Sequence, residues 1–177
     1  MKRDPLLAFK YPIGPYNPPE IITPQHIAAW INQIETLPQR LSEVANQLTD
    51  QQLDTPYRPG GWTARQVIHH VPDSHLNSYI RFKWALTEDN PTIKAYEENK
   101  WAVLMDTYNQ PIDLPLEFLA VIHKKLVKLF NSLTSEQLKR TFIHPETGNQ
   151  IPLDWNIGQY AWHGEHHLGH VKLVLYN

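Results

Sequence analysis

Four histidines in one short segment near the C-terminus constrain this chain more than any other feature of its sequence. They are His163, His166, His167 and His170, and the segment that holds them contains no proline. A helix turns by about 100° per residue, so on a helix these side chains share one face within a sector of about 100°. Neutral imidazole is the commonest protein ligand for borderline metal ions. The segment therefore predicts a helix with a metal site on one face.

Two pairs of these histidines have the spacing that lets both rings reach one ion, four residues apart on a helix. They are His163 with His167 and His166 with His170. Spacing alone leaves both pairs open as ligands.

A weak internal repeat favours the first pair and adds a third ligand. The pattern Leu-Thr-x-x-Gln-Leu occurs twice, and each copy leads to a tryptophan and then to a predicted helix. When Trp62 is aligned with Trp155, a histidine follows eight residues later in each half. These histidines are His70 and His163. Because repeats indicate related structural units, two helical hairpins would each supply a histidine to one shared site.

Apolar residues that recur with a period of about 3.6 predict four helices. The first begins at Pro24, after the capping residue Thr23. The second begins after Thr63, which has the capping-box spacing to Gln66. Pro38 lies inside the first helix and is expected to kink or restart it. The predicted helices cover residues 24–48, 64–86, 116–133 and 154 onward.

The segments outside these helices complete the predicted architecture. Residues 88–113 are too long for a tight turn and suit a crossover between the second and third helices. Residues 141–153 contain turn-forming residues and are expected to form a small hairpin. Residues 1–22 are rich in proline and aromatic side chains, which predicts an extended arm on the surface of the domain, with partial disorder as the alternative. Residues 23–177 would then form one all-α domain.

Composition limits the class of protein. A chain of 177 residues with 41% hydrophobic residues can bury one core, so a single bundle domain is expected. The net charge of −2 argues against nucleic acid as a partner, and no apolar run is long enough to predict a membrane span. The absence of cysteine leaves His, Asp and Glu as metal ligands and fits a reducing compartment. We expect a soluble cytoplasmic protein.

Motifs along nearly the whole chain match one family. They are Tyr11–Gly14, Gln52–Arg58, Gly60–Thr63, His69–His70 with Asp73–His75, Asn77–Lys83, and Trp162–His163 with His167. Together they resemble the YfiT branch of the DinB-like superfamily. The sequence departs from that pattern at Pro72, where a helix former is usual, and at Gly164 and Glu165 inside the histidine segment.

This resemblance implies a four-helix bundle with up-down-down-up topology, often dimeric, so a homodimer is expected. It also implies one divalent ion per chain, bound by His70, His163 and His167. Members of the branch are described as metal-dependent hydrolases, and relatives as S-transferases that use bacillithiol or similar low-molecular-weight thiols. The expected partner is therefore a small-molecule substrate, joined in a transferase by a thiol and an electrophile.

Three neutral histidines leave one position open on a tetrahedral zinc ion, which is typical of catalytic zinc sites. An ion there would activate water for hydrolysis or bind a thiol as thiolate. Zinc is favoured, and nickel or another late first-row ion would also bind. Asp73, one turn from His70, is the catalytic candidate for orienting a ligand or accepting a proton, with a structural role nearly as well supported. The alternative function is a structural or sensing module that binds metal without catalysis.

Overall fold

Seven α-helices and one hairpin of two short strands make up residues 6–176, the part of the chain that this computed structural model describes. The four long helices are α2 (Pro24–Ala45), α4 (Ala64–Thr87), α6 (Asp113–Asn131) and α7 (Leu153–Tyr176). Single helical turns form α1 (Leu7–Lys10), α3 (Asp50–Leu53) and α5 (Glu98–Trp101), and a 3-10 turn covers Gln137–Lys139. Strands β1 (Thr141–Ile143) and β2 (Gln150–Pro152) pair antiparallel. The four predicted helices and the hairpin are confirmed, and the single turns are additions that periodicity missed.

Side-chain caps fix the starts of two long helices where the sequence predicts them. The Thr23 hydroxyl accepts a hydrogen bond from the His26 N–H at 3.4 Å, and Pro24 occupies the first turn, where its missing N–H costs no hydrogen bond. The Thr63 N–H donates to the Gln66 side chain at 3.0 Å and completes a capping box.

Two prolines lie inside long helices without ending them. Helix α2 continues through Pro38 and α4 through Pro72, so no new helix starts at Pro38. A proline has no N–H, and the carbonyl four residues earlier therefore lacks its helical donor. In these helices the carbonyls concerned belong to Ile34 and Ile68.

Helices α2 and α7 lie side by side and run parallel. Trp30 packs against Gly158, and Leu37 packs against Gly164 further along both helices. A β-carbon at Gly158 would lie 2.9 Å from the Trp30 ring, and one at Gly164 would collide with the Leu37 side chain. A side chain at either position would force a neighbouring side chain to move: Leu37 at Gly164, and Trp30 together with Tyr16 of the arm at Gly158. This explains the glycine that interrupts the histidine segment.

Helix α4 lies between α6 and α7 and completes the topology. It runs parallel to α6, because His75 contacts His123 and Phe82 contacts Phe130 further along. It runs antiparallel to α7, as two contacts show: His70 with His167 and Arg81 with Tyr160. The order α2, α4, α6, α7 is thus up, down, down, up, and the predicted topology is confirmed.

One apolar core lies between the four helices. Ile34, Leu119 and Ile157 come from three of them and expose no more than 1% of their surfaces. Burial of this apolar surface is the main favourable contribution to the free energy of folding. Within residues 6–176, no helix is both long and apolar enough to span a membrane.

The N-terminal arm lies along α7. The indole N–H of Trp162 donates to the Gly14 carbonyl at 3.0 Å, and the Tyr16 hydroxyl donates to the Trp155 carbonyl at 3.1 Å. The predicted extended arm contains the helical turn α1, and its residues 1–5 lie outside the described residues. These contacts bring the arm to the same helix that carries the histidine segment.

Candidate metal centre

Three histidines from two adjacent helices meet at one point. Helix α4 supplies His70, and α7 supplies His163 and His167. One ring nitrogen from each lies within 4.8 Å of the other two. The Nε2 atoms of His70 and His163 are 3.3 Å apart. The structure thus brings together the three residues that the repeat, the spacing and the family resemblance select, in an arrangement that could hold one metal ion.

Burial keeps these three imidazoles neutral. Removal from water is the main cause, and the neighbouring histidines add to it, so that the pKa of His70 is lowered to about 4. The same two causes hold the pKa values of His163 and His167 well below the ordinary value of 6.5. A neutral ring keeps one nitrogen lone pair, and that lone pair is what a metal ion needs. All three rings are therefore ready to act as ligands at neutral pH.

The three histidines open into a cavity of about 470 Å³. Its walls come from α4, α7, the loop before α4, the crossover and the hairpin turn. The charged or phenolic side chains among its lining residues include Arg81, Glu98, Glu146 and Tyr160. A more apolar groove of about 570 Å³ lies between α2 and α6, but of the histidines only His123 reaches it. We place the site in the first cavity, because only that cavity contains the clustered lone pairs.

The rival pair, His166 and His170, is arranged differently. His170 Nδ1 lies 3.3 Å from His167 Nδ1, and the ring stacks on Tyr57 with centroids 3.9 Å apart. His166 stacks on Trp162 with centroids 4.6 Å apart, and its buried Nδ1 has no hydrogen-bond partner. Within residues 6–176, neither ring belongs to the three-histidine cluster.

Asp73 lies apart from the histidine cavity. Its side chain is half-buried and is not among the groups that line the cavity, whereas its neighbour Ser74 is. Burial, reinforced by the negative charge of Asp106, raises the pKa of the Asp73 carboxyl to about 6. The Ser74 hydroxyl lies 3.4 Å from His163 Nε2. Helix α4 therefore contacts the clustered histidines through Ser74 as well.

Two further histidines lie behind the cluster, and the sequence did not predict them as site residues. His75 Nε2 is 3.3 Å from His163 Nδ1, and His75 Nδ1 is 2.9 Å from His123 Nε2. Both rings are buried, and burial lowers their pKa values. In the sequence, the only signal for His123 is a polar residue on an otherwise apolar helix face.

The fold and the site together define a class of protein, a four-helix bundle in which histidines of two adjacent helices could hold one metal ion. Residues 33–171 match the model of the DinB superfamily, and the chain belongs to that family.

Proteins similar to this chain share nearly its whole length. Relatives from Bacillus cereus (strain 03BB102) and Bacillus thuringiensis subsp. konkukian (strain 97-27), both named as candidate metal-dependent hydrolases, are 54% identical over 162 residues. Those alignments cover 92% of this chain and 92% of each relative. The structure of YfiT from Bacillus subtilis, described as a candidate metal-dependent hydrolase with an unusual four-helix bundle topology, matches with a TM-score of 0.92 at 44% identity. That match covers 94% of this chain and 95% of YfiT.

Proposed function

We propose that this protein is a metal-dependent enzyme that acts on a small polar molecule bound in the histidine cavity. One observation carries the proposal: three neutral imidazoles from two helices converge where the cavity begins. Within residues 6–176, no Asp or Glu joins that cluster. Structural zinc sites are closed by four protein ligands, whereas a site with three ligands leaves a position for a reactant.

The donor atoms fit some ions better than others. Three nitrogens and no sulfur or carboxylate oxygen suit zinc, nickel and other late first-row ions, and do not suit magnesium or calcium. We propose zinc as the ion, held by His70, His163 and His167. When bound, such an ion acts as a Lewis acid and lowers the pKa of a water or a thiol toward neutrality.

Arg81 is the group that we propose holds an anionic part of the substrate. Its guanidinium lines the cavity and donates to the Tyr160 hydroxyl at 3.3 Å, while its buried Nε has no hydrogen-bond partner. Within residues 6–176, no carboxylate lies close enough to form an ion pair with it. An arginine with spare donors in a cavity suits a carboxylate or phosphate.

Hydrolysis is the reaction that the relatives' names support, and thiol transfer is the second candidate. The acidic side chains that line the cavity, Glu98 and Glu146, come from the crossover and the hairpin turn and lie outside the histidine cluster. Hydrolysis usually needs a general base, whereas an ionised thiol attacks directly. In such a transfer the thiol loses its proton to water, its sulfur bonds to the electrophilic carbon, and the leaving group departs with the bonding electrons.

The role of Asp73 as a proton acceptor remains a proposal. Its raised pKa suits a group that changes protonation near neutral pH, but its position outside the cavity favours a role in the packing of α4 against the crossover. Replacing Asp73 with Asn separates the two roles. A catalytic acceptor would reduce kcat, whereas a packing role would change stability and leave kcat intact.

The ligand assignment is tested by metal content. We expect about one zinc per chain in the unaltered protein, and loss of zinc in His70→Ala, His163→Ala and His167→Ala. His26→Gln is the matched control, because His26 lies in the first turn of α2, outside the histidine cavity, and Gln is the usual partner of Thr in a capping box. Full zinc occupancy in any of the three alanine variants would show that the assignment is wrong.

The reaction class is tested with two paired assays on the zinc-loaded protein. One supplies cysteine and a chromogenic aryl halide, and the other supplies a chromogenic carboxylate ester without thiol. Saturation by the thiol supports transfer, and turnover of the ester without thiol supports hydrolysis. Absence of both activities, with a fourth protein ligand seen by X-ray absorption, would favour the non-catalytic module. In whichever assay is active, Arg81→Gln should raise KM for an anionic substrate more than for its neutral analogue.

A further inference from the structure

Two of the three candidate ligands are backed by chains of histidines that end on backbone carbonyls. The inner chain passes from His163 through His75 to His123, with nitrogen-to-nitrogen distances of 3.3 and 2.9 Å. It ends where His123 Nδ1 meets the Ile34 carbonyl oxygen at 2.5 Å. The outer chain passes from His167 to His170 at 3.3 Å and ends at the Lys10 carbonyl oxygen, also at 3.3 Å.

The carbonyl at the end of the inner chain is available because of a proline. Ile34 lies four residues before Pro38, which has no N–H to donate within α2. A buried carbonyl needs a donor, and His123 Nδ1 supplies it. Pro38 thus creates a polar anchor on the inner side of α2 without ending the helix.

A carbonyl oxygen only accepts hydrogen bonds, so it fixes where the proton of the adjacent imidazole lies. A neutral imidazole has one N–H and one acceptor nitrogen. His123 must therefore carry its proton on Nδ1, which makes its Nε2 an acceptor for the His75 Nδ1 proton. His75 Nε2 is then an acceptor and receives the proton of His163 Nδ1. Both rings are almost completely buried, and burial disfavours the charged form of an imidazole.

The same reasoning applies to the outer chain. The Lys10 carbonyl requires the His170 proton on Nε2, so His170 Nδ1 is an acceptor. It receives the proton of His167 Nδ1 at 3.3 Å. At the other end of each chain from the carbonyl, the ligand ring is therefore protonated on Nδ1 and carries its lone pair on Nε2. For His163, this Nε2 is the atom that lies 3.3 Å from His70 Nε2.

We propose that the two chains select the tautomers of His163 and His167 and so direct both Nε2 lone pairs at one ion. His75, His123 and His170 are positioning residues in this proposal, and the anchors are the carbonyls of Ile34 and Lys10. The proposal rests on the metal site described under Proposed function. It adds that the tautomers are already fixed before any ion binds.

The direct test is nitrogen-15 NMR of the histidine rings in metal-free protein at neutral pH, which distinguishes the two tautomers. We expect His75, His123, His163 and His167 to be protonated on Nδ1 and His170 on Nε2. A proton on Nε2 of either His163 or His167 would overturn the proposal. This measurement uses the unaltered chain, so it does not depend on whether any variant folds.

Zinc affinity, measured by competition with a chelator, tests the consequence. Loss of a partner that orients a metal ligand typically weakens binding by about 10- to 100-fold. We expect a loss of that size in His75→Phe and His170→Phe, and mixed tautomers of His163 in His123→Phe. His69→Gln is the control, because this buried histidine on α4 lies outside both chains and outside the cavity.

The outcomes separate the two proposals. Zinc affinity unchanged in both His75→Phe and His170→Phe would overturn the tautomer proposal while leaving the metal site intact. The expected tautomers, found in a protein that binds no zinc through the three ligands, would support the tautomer proposal and overturn the metal site.

Discussion

Nδ1 of His163 lies 3.3 Å from Nε2 of His75, so the ring nitrogen that faces away from His70 contacts another histidine. Ligand histidines in metal sites commonly donate to a carboxylate, a backbone carbonyl or water. A carboxylate would bring negative charge, whereas a neutral imidazole orients the ring without adding charge. The positive charge of a bound ion would then be left to act on a water or thiol, in keeping with the proposed chemistry.

Acid should destabilise this protein steeply. Burial lowers the pKa values of the site histidines, of His75 and of His123. A base whose pKa is lower in the folded state binds its proton more readily when the chain is unfolded. Its contribution to the free energy of unfolding is therefore complete above pH 6.5 and is lost as the pH falls toward 4. Each such histidine contributes a slope of up to about 1.4 kcal/mol per pH unit. Urea unfolding of metal-free protein from pH 7.5 to 4.5 measures the slope.

The variant His123→Phe tests whether buried histidines cause this pH dependence of stability. It removes one buried group whose folded pKa is about 4, so the pH dependence of unfolding should become shallower. A free energy of unfolding that is flat between pH 6.5 and 5 would contradict the assignment of these rings as buried and neutral.

Asp73 should have the opposite pH dependence. Burial and Asp106 raise the pKa of its carboxyl from 3.8 to about 6. An acid whose folded pKa is raised stabilises the fold below pH 3.8 and loses that contribution as pH rises through 6. Asp73→Asn should therefore increase the free energy of unfolding at pH 7.5 by about 1 kcal/mol, after allowance for partial exposure, and much less near pH 4.5. Asp106→Asn should give a smaller increase, because its charge is the lesser cause.

Local sequence signals predicted the helices, whereas the choice of the three clustered histidines also needed the internal repeat and the family resemblance. Thr23 and Thr63 mark helix starts through their own capping bonds, and the spacing of His163 and His167 puts them on one face by helical geometry alone. The chains behind them could not be predicted. His75 and His123 lie on different helices, and only the parallel packing of α4 and α6 brings them together. The single-turn helices also escaped prediction, because four residues are too few to show a helical period.

Gly164 should be intolerant of a side chain. A β-carbon there would collide with Leu37 at the contact between α2 and α7. Overpacking of this kind costs about 1–3 kcal/mol, so Gly164→Ala should lower the midpoint of urea unfolding despite the better helix propensity of alanine. Adding Leu37→Val should recover part of the loss by making room. Additive effects of the two substitutions would show that the collision is not the cause.

Removal of the metal should weaken the fold without abolishing it. The four helices share one apolar core that does not depend on the three histidines, unlike a zinc finger, which is unfolded without its ion. Binding to the folded state alone stabilises it by about 2.7 kcal/mol when free zinc is 100 times Kd. Chelation should therefore lower Tm and leave the far-ultraviolet circular dichroism at 25 °C almost unchanged. His70→Ala provides the control, since its Tm should respond little to either zinc or chelator. Loss of helical signal when chelator is added at 25 °C would show instead that the ion is required for folding.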